Sequence, residues 1–303
     1  MKWERLGVVY KPDGSVPWMR SHAYLPTAIV IDGRIRVFAA FRDAQDVGRM
    51  GWIDFSADGR FELLDVSDRP CLDIGVPGAF DDNGVSPMAI VPLDGKLRCY
   101  YAGWQLTPRI RYLLFTGAAT SVDGGRSFVR ESEAPVFERS SKELIVRSGC
   151  FVMRHSGVWK AWYAAGSSII EVGGRSVPTY HLAYMESPDG LRWPDEGIVS
   201  ILPTPPDEYG FGRPFVEIRG GIFHIWYSVR SQSRGYFIGY ATSRDGINWC
   251  RRDQEGGLMP SQEGWDSEMT GFATIVDIPS GRYMLYNGNG YGLTGIGVAR
   301  LSG

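Results

Sequence analysis

Apolar and polar positions along this chain fall into short bursts opened by glycine. The clearest burst is a glycine turn followed by an apolar, aromatic run. It occurs at Gly33 to Phe41, Gly95 to Gly103, Gly157 to Ala165, Gly221 to Ser228 and Gly281 to Gly288. The copies lie about 62 residues apart, and self-similarity at a fixed period signals repeated supersecondary units. Runs of this length, bounded by glycine and rich in aromatic and β-branched residues, read as strands.

A second motif keeps the same beat: Ser-x-Asp-Gly followed by an aromatic residue. It reads Ser121 to Phe128, Ser187 to Trp193 and Ser243 to Trp249, with a weaker copy at Ser56 to Phe61. Asp-Gly supplies the positive-φ residue that a tight hairpin needs. The aspartates Asp58, Asp123, Asp189 and Asp245 therefore read as turn residues rather than catalytic candidates. Each unit becomes strand, glycine turn, aromatic strand, loop, strand, Asp-Gly turn, strand. Four antiparallel strands per unit describe a propeller blade, and five units fill the chain. The fifth ends at Gly295 to Leu301 without an Asp-Gly hairpin. The segment Trp3 to Tyr10 can supply its missing strand and close the ring, removing an open edge. Pro203 to Pro206 reads as a loop before the fourth unit, so one domain spanning 1–303 is expected.

Composition narrows the function. Hydrophobic residues make up 44% of the chain and the net charge is −2, with no basic tail or acidic block. Electrostatic capture of nucleic acid or of a membrane surface is not indicated. Cys71, Cys99, Cys150 and Cys250 form no metal-like spacing; Cys99 and Cys150 sit in strand-like runs and read as buried thiols. The N-terminus, Met1 to Gly7, lacks the apolar core of a signal peptide, and no apolar stretch is long enough to span a bilayer. A cytoplasmic protein is expected.

The segments Ala241 to Trp249 and Arg213 to Val216, together with the unit count, resemble the five-bladed propeller glycosidases. These include glycoside hydrolase families 43, 32, 68 and 130, and the resemblance covers nearly the whole chain. It implies an all-β, five-bladed propeller with a functional face where the first strands of the blades begin. It also allows a structural Ca²⁺ in the central tunnel, although no ligand spacing here calls for one. No cofactor motif is present.

The starts of the first strands carry polar groups. They read Arg20 to Pro26, with His22 and Tyr24; Phe80 to Pro87, with Asp82; Lys142 to Gly149, with Glu143 and Arg147; Asp207 to Pro214, with Glu208 and Arg213; and Trp265 to Gly271, with Asp266 and Glu268. The ends of the second strands approach the same face and bring Arg42, Asp43, Trp104, Arg230, Asn287, Asn289 and Tyr291. Recurrence of such clusters at one topological place points to a pocket, because polar groups are costly to bury unpaired.

Glycoside cleavage needs two carboxyl groups flanking the bond. The resemblance implies an Asp at the start of blade 1, a second Asp, and a Glu acid from a middle blade. Here blade 1 offers His22 and Tyr24 instead. Asp82, Glu143 and Glu268 are the first candidates for acid–base work, followed by Glu208 and Asp43, with His22 an alternative base. Trp104 and Tyr291 suit stacking on a sugar ring. Arg42, Arg147, Arg213 and Arg230 suit an anionic ligand, since guanidinium forks match carboxylates and phosphates. The expected activity is glycosidase-like, on a small anionic carbohydrate such as a uronate, a sugar phosphate or a nucleotide sugar. A transferase, lyase or cyclase on the same scaffold, or a carbohydrate-binding propeller without turnover, are the alternatives.

Overall fold

The computed structural model describes residues 1–302. The chain begins with β1 (Lys2–Tyr10) and then forms four successive groups of antiparallel strands. The first is β2 (Ser21–Ile31), β3 (Arg34–Arg42), β4 (Gly48–Ser56) and β5 (Leu63–Val66). The second is β6 (Val85–Leu93), β7 (Lys96–Leu106), β8 (Tyr112–Ser121) and β9 (Val129–Arg130). The third is β10 (Val146–His155), β11 (Val158–Val172), β12 (Arg175–Ser187) and β13 (Ile198–Ile201). The fourth is β14 (Glu208–Arg219), β15 (Ile222–Ser231), β16 (Gly235–Ser243) and β17 (Cys250–Arg251). The last group is β18 (Gly271–Ile278), β19 (Gly281–Asn287) and β20 (Ile296–Ser302), with β1 paired beyond β20 and Trp3 opposite Leu301. Only two four-residue helical turns interrupt the strands, α1 (Asp253–Gly256) and α2 (Asn289–Gly292). No helix among the described residues is long and apolar enough to cross a membrane.

Short parallel contacts, Val146 beside Leu114 and Tyr180 beside Gly210, join the second, third and fourth groups into one twelve-stranded sheet. None of the three sheets closes on itself. The first strands β2, β6, β10, β14 and β18 each pack against the next, and β18 packs against β2. The core lies between neighbouring groups. Tyr100 and Met88 of the second group pack with Val152 and Trp159 of the third, and Ile35 and Val37 of the first pack with Val276 and Leu285 of the last.

The Asp-Gly turns do structural work at both ends. Within each turn the carboxylate accepts backbone N–H groups: Leu191 and Arg192 donate to Asp189, and Ile247 and Asn248 donate to Asp245. The Arg60 N–H likewise holds the Asp58 carboxyl down at about 2. Across the groups, a side chain of one second strand donates to the turn glycine of the following group. Tyr100 Oη reaches the Gly190 carbonyl at 2.7 Å and Trp162 Nε1 reaches that of Gly246 at 2.6 Å. Cys71, Cys99 and Cys150 are buried and unpaired, and burial pushes the Cys150 thiol up to about 12. Such thiols are inert packing groups.

Candidate functional site

Each first strand is broken at the same place. The ladder slips between Tyr24 and Thr27, Pro87 and Ala89, Ser148 and Phe151, Gly212 and Phe215, and Gly271 and Thr274. A bulge of this kind bends its strand and re-aims a side chain. The backbone turns left-handed at Leu25 (φ 59°), Gly149 (φ 62°), Arg213 (φ 49°) and Phe272 (φ 60°). For residues other than glycine this conformation costs energy and tends to mark functional sites. Leu25, Met88, Gly149, Arg213 and Phe272, one residue from each first strand, line a single cavity of about 200 Å³. Arg213 is the one charged member of that set.

The walls come from strand ends. Arg42 closes β3, Trp104 lies near the end of β7, and Arg230 lies near the end of β15. Tyr112, Tyr180 and Tyr236 come from the third strands β8, β12 and β16, and Tyr291 comes from α2. Arg111 completes the cationic set. Trp104 stands edge-on to Tyr112 at 5.0 Å and Tyr291 edge-on to Tyr236 at 5.2 Å. The Arg230 guanidinium lies 4.4 Å from the ring centre of Tyr209 and 4.7 Å from that of Tyr180. It crosses β14 at Gly210, where an added Cβ would sit 3.0 Å from Arg230 Cδ and crowd the side chain.

The electrostatics are one-sided. Arg213 is 2% exposed and Arg230 6%, and neither forms an ion pair among the described residues. Nη2 of Arg213 donates to the Pro26 carbonyl and to Thr27 Oγ1, while its Nε and Nη1 have no partner. Burial alone lowers the Arg213 pKa to about 10. Arg230 Nη1 donates to the Pro178 carbonyl and its Nε is unpartnered. The nearest carboxylate to Arg42 is Asp46, 4.0 Å away and 80% exposed. No aspartate or glutamate is among the residues that line the cavity.

Six sequence-derived site residues meet here: Tyr24, Arg42, Trp104, Arg213, Arg230 and Tyr291. The others lie elsewhere. Glu143 and Arg147 pair with each other, Tyr163 Oη donates to both Glu143 oxygens, and Arg147 also holds the Glu138 and Pro194 carbonyls. Glu208 takes both ends of the Arg251 guanidinium; burial pushes its carboxyl up, but those bonds outweigh it and hold it low. Asp43 caps its own turn through Gln45 and Val47 and pairs with Arg49, at a separate surface depression. Asp82 accepts the Gly78 N–H. Asp266 receives Arg5, Ser261 and Tyr286. Glu268 is exposed, and its N–H donates to Asn289.

Asn287 and Asn289 are clasps. Asn287 bridges Ala23, Leu25 and Gly295, and so ties β19 to β2 beneath Tyr24. Asn289 holds Glu268 and Met269 at the base of the turn that carries Tyr291. His22 sits edge-on to Tyr24 with Ser21 on its Nδ1. Burial, and then Arg42, lower its pKa to about 4, so the ring is neutral at physiological pH.

The third-strand tyrosines escaped the sequence reading. In an antiparallel hairpin the start of a third strand lies beside the end of the second, so it reaches the same face; Tyr236 is opposite Arg230. The recoverable signal was a tyrosine at or next to the start of two third strands, Tyr112 of β8 and Tyr236 of β16, with Tyr180 further along β12.

No family model matches the chain. Uncharacterized protein Rv1502 of Mycobacterium tuberculosis is 33% identical over 304 residues, an alignment covering 99% of each chain. The chain belongs to the Rv1502 family. The uncharacterized protein MT1551 from a second strain of that organism aligns to the same extent. Among solved structures, a glycoside hydrolase superposes with TM-score 0.79 at 14% identity, over 98% of this chain and 90% of that one. A thermostable family-43 glycoside hydrolase gives 0.67 at 16% identity, over 92% and 88%. A structure from the GH130 family of mannoside phosphorylases and glycoside hydrolases gives 0.70 at 17%, over 98% and 93%. The Rv1502-family chain thus has the nearly all-β fold of the propeller glycosidases, as the resemblance in its sequence implied. No cluster of three or more His, Cys, Asp or Glu side chains that could hold a metal occurs among the described residues. Ca²⁺ requires a shell of oxygen ligands, often carboxylates; a cavity lined by arginines does not fit it.

Proposed function

We propose that this chain is a glycosidase-like protein whose pocket binds a small, anionic carbohydrate. In this reading the five strand groups stand as the blades of a single five-bladed propeller, and their bulged first strands ring the pocket. One observation carries the ligand class: two buried guanidiniums, Arg213 and Arg230, line the cavity without a carboxylate partner. An uncompensated buried charge is strongly unfavourable, and an anionic ligand would neutralise it. Trp104, Tyr112 and Tyr291 offer faces and edges for a sugar ring. The cavity is smaller than the roughly 300–1,000 Å³ of drug-sized sites, which suits one sugar unit. A cytoplasmic setting would suit sugar phosphates and nucleotide sugars.

Likeness of fold is the support for turnover, and fold alone does not define chemistry. Hydrolysis by a carboxylate pair finds no Asp or Glu among the lining residues. The titratable groups of the lining are arginines and phenols, which favours recognition, or transfer or elimination driven by the ligand's own groups. The test is thermal denaturation with glucose 1-phosphate, glucuronate and glucose. A ligand at about 100 times its Kd adds about 2.7 kcal/mol; stabilisation by the two anions and not by glucose is expected. Stabilisation by glucose alone would overturn the proposal. If a substrate is turned over, Asp82→Asn, Glu143→Gln and Glu268→Gln should each retain its rate within tenfold. A loss of about 10²–10⁴, the scale of a true acid or base, would restore carboxylate catalysis.

A further inference from the structure

We infer that the cavity holds two separate oxyanion subsites, one at Arg213 and one at Arg230, so that its ligand is a sugar bearing two anionic groups. The inference rests on the anionic-carbohydrate reading and sharpens it. Both guanidiniums are more than nine-tenths buried, both line the cavity, and both keep donors without a partner. They are anchored in different directions. Arg213 is held at Nη2 by Pro26 and Thr27 of β2, whereas Arg230 is held at Nη1 by Pro178 of β12. Arg230 is opposite Gly210 and its side chain crosses β14 there, whereas Arg213 leaves β14 three residues further on, from the bulge after Gly212.

The surroundings also differ. Arg213 emerges among Leu25, Met88 and Phe272, whereas Arg230 is flanked by the rings of Tyr180 and Tyr209. A carboxylate or phosphate bound to the free Nε or Nη1 of Arg213 therefore leaves Arg230 facing only tyrosine rings and no anion, and a second oxyanion supplies its counter-charge. The chemical class is a small sugar with an oxyanion at each end, such as a sugar bisphosphate or a phosphorylated uronate.

Titration calorimetry on the full chain separates the cases. Glucose 1,6-bisphosphate should bind at least tenfold more tightly than glucose 1-phosphate. That advantage should vanish in both Arg213→Met and Arg230→Met, while Arg213→Lys and Arg230→Lys keep part of it. Equal affinity for the two phosphates, with loss of all binding in either Met variant, would mean one shared anion site; it would overturn the two subsites and leave the anionic reading standing. Binding of glucose but of neither phosphate would overturn both. If a Met variant does not fold, the Lys variant carries the same comparison, and an undiminished bisphosphate advantage in both Lys and Gln substitutions at that position would remove the subsite.

Discussion

Arg213→Met should destabilise the ligand-free protein by no more than about 3 kcal/mol, although it deletes a fully buried cation. Burial lowers the guanidinium's pKa to about 10. At ~1.4 kcal/mol per pH unit, keeping the charge in the empty pocket costs about 3 kcal/mol. No carboxylate repays that cost. The favourable side is the pair of bonds from Nη2 to Pro26 and Thr27, which at ~1.5–3 kcal/mol each for a charged donor is of similar size or larger. Thr27 Oγ1 also keeps its own bond to the Leu25 carbonyl. The two bonds together amount to about 3–6 kcal/mol, so the net loss should lie between about 0 and 3 kcal/mol; removing one partner of a compensated buried pair typically costs ~3–5 kcal/mol. Urea unfolding with linear extrapolation measures it. The same variant should lose the stabilisation that glucose 1-phosphate confers at the Arg213 subsite. A loss of about 4 kcal/mol or more, with the ligand response intact, would show that Arg213 is a structural clasp and would refute the uncompensated-charge reasoning.

Two further outcomes follow from the same geometry. His22 titrates at about 4 in the folded chain and near 6.5 when unfolded, so the unfolded state binds more protons between those values. Stability should therefore fall as pH drops from about 6.5 to about 4, and His22→Asn should flatten that part of the unfolding profile; an unchanged slope would mean the ring is not held neutral. Tyr100→Phe should destabilise by about 1–2 kcal/mol, because it strips the buried Gly190 carbonyl of its donor. Tyr101→Phe, next in sequence, should cost less, because the Tyr101 hydroxyl has no hydrogen-bond partner. Equal costs in denaturant titrations would refute the role given to the link between groups.

Much of the architecture was legible before any coordinates. Glycine at Gly33, Gly95, Gly157, Gly221 and Gly281 and the Asp-Gly turns act through local backbone preference, which short sequence windows express directly. The pairing of the N-terminal segment with the last strand was legible too, because the fifth unit lacked one strand. Of the polar residues at first-strand starts and second-strand ends, Tyr24, Arg42, Trp104, Arg213 and Arg230 line one cavity, as does Tyr291.

Only the tertiary structure decided which polar residues line the cavity. A bulge shifts side-chain direction by one position, and this turns Arg213 inward while Glu208, on the same strand, finds Arg251 from the far edge of its sheet. Glu143 and Arg147 look like two site residues in sequence, yet four residues apart across a bend they satisfy each other. Tyr112 and Tyr236 reach the cavity because hairpin pairing sets third-strand starts beside second-strand ends, and Tyr180 reaches it from mid-strand, where β12 meets Gly210 of β14. Turn chemistry is local and can be read from the chain; charge compensation depends on partners tens of residues away, which only the assembled strands bring together.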